Sequence, residues 1–216
     1  MSKKYEIFLF DLDGTITDSA LGITNSVMYA LKKFGIEETD RTKLYKFIGP
    51  PLTESFEKFY GFTKEQSLDG VKYYREYYHD KGIYENRVYD GLEEVLKKIN
   101  EAGKQAIVAT SKPEKYAKII MDYFHLTQYF ACVAGMEMDG GRGTKAQVIT
   151  YALEKNDITD KSNVLMIGDR EHDVIGAHEN GLDCLGILYG FGSRKEFEEA
   201  GADYIRENVE DILQFV

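Results

Sequence analysis

The sequence predicts an α/β fold, in which a parallel β-sheet is covered by helices and a separate helical domain is inserted near the start of the chain. An apolar run opens the chain at Tyr5 to Phe10 and is typical of a buried strand. From about residue 87 onward, short apolar runs alternate with helical patterns, as in βαβ units. Between these parts every periodic pattern is helical. We therefore expect an α/β core formed by 1–16 and 87–216 and a helical domain formed by 17–86.

The composition is that of a globular protein with an acidic surface. Its 216 residues suffice for one large domain or for a medium domain with a smaller one attached, and 43% of them are hydrophobic. The 37 acidic residues outnumber the 27 basic ones, which gives a formal net charge of −10. This excess argues against broad nucleic-acid binding, which needs a basic face. A small anionic ligand remains compatible with it, because a metal ion or a few lysines can reverse the field in one cleft.

The cysteines and the N-terminal segment indicate a reducing compartment. Cys132 and Cys184 lie in apolar runs and are interpreted as small core residues, since no zinc spacing or disulfide framework is present. The first residues lack a signal-peptide pattern, and no apolar run is long enough to cross a membrane. We expect a cytoplasmic protein without a membrane partner.

In the inserted domain the sequence predicts four helices. Apolar residues at helical spacing precede Gly35, and a short helix ends at Gly49. Pro50-Pro51 opens the third helix, which Gly61 ends. The fourth begins with a capping-box pattern at Thr63 and continues to about residue 78.

The rest of the chain alternates strands and helices, which predicts a Rossmann-like parallel sheet. After the first strand, strands are expected at 105–109, 129–134, 163–167, 183–188 and, more briefly, 202–205. Helices are expected at about 92–99, 113–124, 144–153, 174–178, 194–200 and 209–215.

Two carboxylates follow the first strand. Asp11 and Asp13 are one residue apart, so strand alternation would point both to the same side, and Gly14 follows them. Like charges at the end of a buried strand repel each other and lose hydration, so stability does not explain the pair. A bound cation, a phosphate reaction or both would explain it.

The residues after the other strands are also candidates, because ligands bind at the carboxyl ends of strands in open parallel sheets. Thr110 and Ser111 precede a helix, where hydroxyls act either as ordinary caps or as part of an anion site. Lys145 is expected in the first turn of its helix, where a cation opposes the helix dipole. It is either a solvated surface lysine or the partner of an anion bound there.

Further carboxylates follow the strand expected at 163–167. Oxygen-rich clusters of this kind suit Mg²⁺, which needs few protein ligands and keeps several waters. Asp169 directly at the strand end is the candidate for a third acidic metal-site residue, and Asp173 is a candidate to hold a metal-bound water.

Together these segments resemble the haloacid dehalogenase superfamily of phosphotransferases. Asp11-Leu12-Asp13-Gly14-Thr15 is similar to its first motif, Thr110 to its second, Lys145 to its third, and Gly168-Asp169 with Asp173 to its fourth. Ser111 stands where relatives often carry asparagine. The helical insert resembles the small helical cap of the family. The carboxyl half resembles the phosphoglycolate phosphatase branch.

The resemblance implies a role for each motif. Asp11 would attack phosphorus and form an aspartyl-phosphate, and Asp13 would protonate the leaving oxygen and then deprotonate the attacking water. Mg²⁺ would be held by the Asp11 carboxylate, the Asp13 backbone carbonyl and Asp169.

The resemblance also implies a phosphate-binding group of Thr110, Ser111 and Lys145, acting with neighbouring backbone amides. The expected function is that of a magnesium-dependent phosphatase acting on a small phosphorylated metabolite, similar to phosphoglycolate, a nucleotide or a sugar phosphate. Side chains near Lys46 to Thr53 of the cap are expected to select the substrate.

Two other functions are compatible with parts of this pattern. A sugar-phosphate mutase uses the same aspartate pair but returns the phosphoryl group to its substrate. A receiver-like phosphoacceptor module without enzymatic activity is a more distant alternative. Receivers are shorter and carry the phosphoacceptor aspartate on a middle strand, after an acidic pair on the first.

Overall fold

The computed structural model describes residues 3–138 and 141–216 and divides the chain into two compact units. The first, called the α/β core, takes in Met1–Thr17 and Val88–Val216. The second, called the helical unit, is Asp18–Arg87. Within the described ranges, no helix is both long enough and apolar enough to span a bilayer.

The α/β core contains a six-stranded sheet with the strand order β5-β4-β1-β6-β7-β8, and its neighbouring strands pair in parallel. The expected parallel sheet is thereby confirmed. A separate two-stranded pairing joins β2 and β3. The strands are β1 Ile7–Phe10, β2 Thr17–Asp18, β3 Arg87–Val88, β4 Gln105–Pro113, β5 Val133–Met136, β6 Val164–Gly168, β7 Asp183–Ile187 and β8 Tyr204–Arg206.

Helices follow most of the strands. They are α1 Ala20–Lys33, α2 Leu52–Tyr60 and α3 Lys64–Tyr77 in the helical unit, and α4 Leu92–Glu101, α5 Glu114–Tyr123, α6 Lys145–Lys155, α7 Glu171–Glu179 and α8 Arg194–Ala200 in the α/β core. The start of α6 is set by Thr144, whose hydroxyl accepts a hydrogen bond from the amide of Gln147 while the Gln147 side chain accepts one from the amide of Thr144. This reciprocal capping box makes Lys145 the first helical residue.

The strand β1 has apolar neighbours on both sides. Leu9 packs in one core cluster with Ile107 of β4 and Met166 of β6, and Val148 and Val174 bring α6 and α7 into the same cluster. A strand buried in this way reads as a continuous apolar run in the sequence, as observed at the start of the chain. The register places Phe10 beside residues of β4 and β6, so these three strands end at one edge.

Several short elements differ from the sequence expectations. The segments Arg41–Phe47 and Val209–Gln214 are 3₁₀ helices, because short segments often close i→i+3 hydrogen bonds. The strand expected at 129–134 forms its ladder only at Val133–Met136, after a 3₁₀ turn at Thr127–Tyr129. The two-residue pairing of β2 with β3 is too short to leave a periodic signal.

The helical unit has an aromatic interior. The rings of Phe47 and Phe56 are buried with centroids 5.2 Å apart, and those of Phe34 and Phe62 are 4.7 Å apart. The capping box at Thr63 is formed as expected, since the threonine hydroxyl accepts from the amide of Gln66 and the glutamine side chain accepts from the amide of Thr63. This unit therefore has a hydrophobic core of its own.

Candidate active site

The carboxyl end of β1 leads directly into the aspartate pair. The amide of Asp11 donates to the carbonyl of Ile167 on β6, at 2.9 Å, so the backbone is held in the sheet while its side chain is buried. The chain then turns sharply, with the amides of Ile16 and Thr17 donating to the carbonyl of Leu12. Gly14 adopts φ +85° in this turn, a conformation that favours glycine.

Lys145 lies between two buried carboxylates. Its Nζ is 2.7 Å from Oδ1 of Asp11 and 2.7 Å from Oδ1 of Asp173, and it donates a 2.9 Å hydrogen bond to the carbonyl of Ala109. Burial lowers the pKa of Lys145, but the charges of Asp11 and Asp173 outweigh burial and raise that pKa above its ordinary value. Lys145 is therefore a buried cation, and the surface-lysine interpretation is wrong.

Asp169 follows β6 and is completely buried. Its Oδ2 accepts a 2.8 Å hydrogen bond from the amide of Phe191, whereas its Oδ1 receives none from residues 3–138 and 141–216. Burial raises the pKa of Asp169 well above its usual range, and the negative charges of Asp173 and Asp11 raise it further. A buried carboxylate oxygen without a donor needs a partner from outside the chain, such as a cation.

Asp173 lies in the first turn of α7. Its Oδ2 accepts from the amide of Arg170 at 3.1 Å, and its Oδ1 contacts Lys145. Burial raises the pKa of Asp173, Lys145 lowers it, and Asp11 raises it. Asp173 is thus tied to the lysine and to the start of its own helix.

Three carboxylates can share one metal ion. One oxygen each from Asp11, Asp169 and Asp173 lies within 4.8 Å of the other two, and all three residues are buried. Hard oxygen ligands of this kind fit Mg²⁺, and the free oxygen of Asp169 is a ready ligand. The carboxylate of Asp13 is outside this group, whereas that of Asp173, expected from the sequence to hold a metal-bound water, is inside it.

The end of β4 brings a second lysine to the aspartate pair. Nζ of Lys112 lies 2.7 Å from Oδ2 of Asp13, and the amide of Lys112 donates to the hydroxyl of Thr110 at 3.2 Å. Thr110 is buried, whereas Ser111 is half-buried. Sequence reasoning assigned no role to Lys112. Its place at the carboxyl end of a strand, two residues after Thr110, was the available signal for a site residue, but its partner could not be read from the sequence.

Glycines allow the loops around the carboxylates to approach closely. A Cβ on Gly190 would lie 2.4 Å from Cβ of Asp169, and one on Gly168 would lie 2.1 Å from Cγ of Asp173. Larger residues at these positions would displace the carboxylates. The loop after β7 therefore belongs to the site, although its first glycine lies 21 residues after Asp169 (190 − 169).

Known proteins resemble this chain in sequence and structure. Residues 8–187 match the family model described as haloacid dehalogenase-like hydrolase. A 5'-nucleotidase of Pseudomonas aeruginosa is 44% identical over 89% of this chain and 87% of its own length. The tyrosine-protein kinase PtkA of Mycobacterium tuberculosis is 35% identical over 87% of this chain and 63% of its own length.

A solved structure gives the same result for the fold. The crystal structure of a predicted phosphatase from Clostridium acetobutylicum superposes with a TM-score of 0.94 at 47% identity, covering 98% of both chains. The family model covers more than half of this chain and includes every site residue expected from the sequence. The resemblance inferred from the motifs is thereby confirmed, and the chain belongs to the haloacid dehalogenase-like hydrolase family as one of its enzymes.

Proposed function

We propose that this protein is a magnesium-dependent phosphatase that hydrolyses small phosphate monoesters through an aspartyl-phosphate on Asp11. The buried cluster of Asp11, Asp169, Asp173 and Lys145 carries the proposal. The cluster contains three carboxyl groups and one ammonium group, which contacts Asp11 and Asp173, so the ionised cluster has an excess of negative charge. A divalent cation would neutralise this excess and allow an anionic phosphate to approach.

The chemistry of the donors supports Mg²⁺ as the resident ion. The carboxylates of Asp11 and Asp169, with the backbone carbonyl of Asp13, would hold it, and Asp173 lies within reach of the same position. When bound, the ion supplies charge neutralisation between the nucleophile and the phosphate.

In the first step a carboxylate oxygen of Asp11 attacks phosphorus, and the bond from phosphorus to the ester oxygen breaks. Asp13 gives its proton to that leaving oxygen, so the alcohol departs neutral. The hydroxyl of Thr110, the backbone near Ser111 and the ammonium of Lys145 bind the phosphoryl oxygens. Donors fixed in a buried site stabilise shifting charge without having to reorganise.

In the second step Asp13 takes a proton from water, whose oxygen attacks the phosphorus of the aspartyl-phosphate. The bond between phosphorus and the Asp11 oxygen breaks, inorganic phosphate leaves, and Asp11 regains its carboxylate. Asp13 is then protonated for the next cycle, so protons and charges balance over one turnover.

The substrate is proposed to be a small phosphorylated metabolite. Similarity to a 5'-nucleotidase makes nucleoside 5'-monophosphates the first class to test, followed by phosphoglycolate and sugar phosphates. We assign substrate selection to the helical unit, Asp18–Arg87, as the cap of this enzyme, with side chains near Lys46 to Thr53 as the first candidates.

A screen of phosphate monoesters tests the function. We expect wild-type protein to release inorganic phosphate from at least one of these classes in Mg²⁺, and to release none in excess EDTA. Absence of release from every ester in Mg²⁺ would contradict the phosphatase. Conversion of a sugar phosphate to its isomer without free phosphate would favour the mutase instead.

A further inference from the structure

We further propose that Lys112 is a positioning residue for proton transfer, because it binds Oδ2 of Asp13 and thereby fixes the orientation of the carboxyl group that exchanges the proton with the leaving oxygen. This assignment rests on the proposed phosphatase function, in which Asp13 protonates the leaving oxygen. The family motifs matched in this sequence imply no role for Lys112.

The contact between the two side chains is short and shielded from water. Nζ of Lys112 lies 2.7 Å from Oδ2 of Asp13, with 6% of the lysine side chain and 12% of the aspartate side chain exposed. Water screens such a pair far less than a pair at the surface. The contact therefore restricts rotation of the carboxyl group of Asp13.

The two oxygens of Asp13 have different surroundings. Oδ2 contacts Lys112, whereas Oδ1 is buried and receives no hydrogen bond from the described part of the chain. The contact at Oδ2 is therefore the interaction that orients the carboxyl group of Asp13, and its removal would leave that group free to turn.

A bulge at the end of β4 places Lys112. Thr110 is in register with Gly135 of β5 and Pro113 with the next residue, Met136, so the two residues between Thr110 and Pro113 bulge out of the register. The amide of Lys112 donates to the hydroxyl of Thr110 inside this bulge. A Cβ on Gly135 would lie 2.6 Å from the carbonyl oxygen of Lys112, so glycine leaves the room that the bulge needs.

Such a role has a consequence that a purely structural role lacks. An alkyl oxide is a poor leaving group unless it is protonated as the bond breaks, whereas p-nitrophenolate departs readily as an anion. Misplacing the carboxyl group of Asp13 therefore slows the cleavage of alkyl esters more than the cleavage of p-nitrophenyl phosphate. A general loss of folding or of phosphate binding slows both equally.

The test compares kcat/KM for p-nitrophenyl phosphate with kcat/KM for an alkyl monoester, namely the alkyl ester of the screen that the wild-type protein cleaves fastest. For Lys112→Met we expect the loss on the alkyl ester to exceed the loss on the aryl ester roughly tenfold or more. Lys112→Arg keeps a cation near Asp13, so its losses of kcat/KM on the alkyl and aryl esters should be nearly equal. Lys115→Met, an exposed lysine three residues later, should change neither value.

Further variants make the result decisive. Lys112→Gln, of similar length, replaces the methionine variant if that protein does not fold, as judged by circular dichroism. In an Asp13→Asn background, Lys112→Met should add no further loss on the alkyl ester, because the proton donor is already gone. Equal losses of kcat/KM on both esters in the single Lys112→Met or Lys112→Gln variant would overturn the inference about Lys112 but would leave the proposed function intact. If wild-type protein cleaves none of the screened esters, the proposed function is wrong and the inference fails with it.

Discussion

Gly14 and Asp169 are so close that a Cβ on the glycine would lie 2.0 Å from Oδ2 of the aspartate. The turn after β1 and the residue after β6 therefore touch through backbone and carboxylate, with no room for a side chain between them. This contact joins the turn that follows the proposed nucleophile to a proposed metal ligand.

Gly14→Ala is predicted to damage the metal site in addition to straining the turn. Gly35 is the matched control, because it also has a positive φ of +74° but has open space where a Cβ would be. Both variants should lose about 1–2 kcal/mol of unfolding free energy from backbone strain, measured by urea denaturation. Only Gly14→Ala should also require more Mg²⁺ for half-maximal phosphate release. Equal Mg²⁺ requirements in the two variants would contradict the prediction.

Asp11→Asn is predicted to abolish turnover while the protein stays folded. The amide cannot attack phosphorus as a carboxylate does, and loss of a nucleophile of this kind lowers kcat by roughly a thousandfold or more. Lys145 would keep its contact with Asp173, so the cluster would not lose its cation. Phosphate release and thermal unfolding measure the two effects. Asp69→Asn, on an exposed position of α3, serves as the control, and appreciable activity in the Asp11 variant would refute the assignment.

Asp169→Asn is predicted to stabilise the metal-free protein and to abolish the stabilisation by Mg²⁺. Burial raises the pKa of Asp169, so its ionised form is unfavourable in the folded state without an ion. The folded state holds the proton more tightly than the unfolded state, so this residue favours folding at low pH and that contribution is lost as pH rises through the raised pKa. In EDTA the variant should therefore be more stable than the wild type, and this stability difference should be largest at neutral pH. It should shrink toward pH ~4, near the ordinary aspartate pKa. Thermal unfolding with and without Mg²⁺ checks both effects. If Mg²⁺ raises the unfolding temperature of the variant more than that of the wild type, Asp169 is excluded as a ligand.

Lys145→Met is predicted to destabilise the protein strongly. The substitution leaves Asp11 and Asp173 buried without their cation, and the loss of one partner of a buried ion pair costs about 3–5 kcal/mol. Urea denaturation in EDTA at neutral pH measures this, with Lys195→Met as the control, because the Lys195 side chain is 82% exposed. A loss equal to that of the control would show that the buried contacts contribute nothing to stability.

The ion pairs of Lys145 also predict a dependence on alkaline pH. The neighbouring carboxylates raise the pKa of Lys145, so its contribution to stability is complete below the ordinary lysine pKa of about 10.4 and is lost as pH rises through the folded-state value. The stability difference between wild type and Lys145→Met should therefore narrow only in the alkaline range. Urea denaturation at several alkaline pH values measures this difference, and narrowing already near pH 7 would contradict the prediction.

Much of the α/β core could be predicted from local patterns. The apolar run of β1 and the capping box before α6 are short-range signals, and they placed Asp11 and Lys145 at the ends of their elements. Parallel strands end at one edge, so the meeting of Asp11 with Asp169 followed from the fold class. The role of Lys112 could not be predicted in this way, because it depends on a register shift between β4 and β5.

The amino-acid pattern was thus sufficient for the fold class, the order of the strands and helices along the chain and the residue types at the strand ends, since each depends on neighbours within a few positions. The pairing of individual oxygens required the folded chain. Lys145 contacts Asp11, 134 positions away (145 − 11), and the side chain of Asp169 lies so close to Gly190 that a larger residue would not fit there. Such distances depend on sheet register and on how helices pack against the sheet, which no local periodicity encodes.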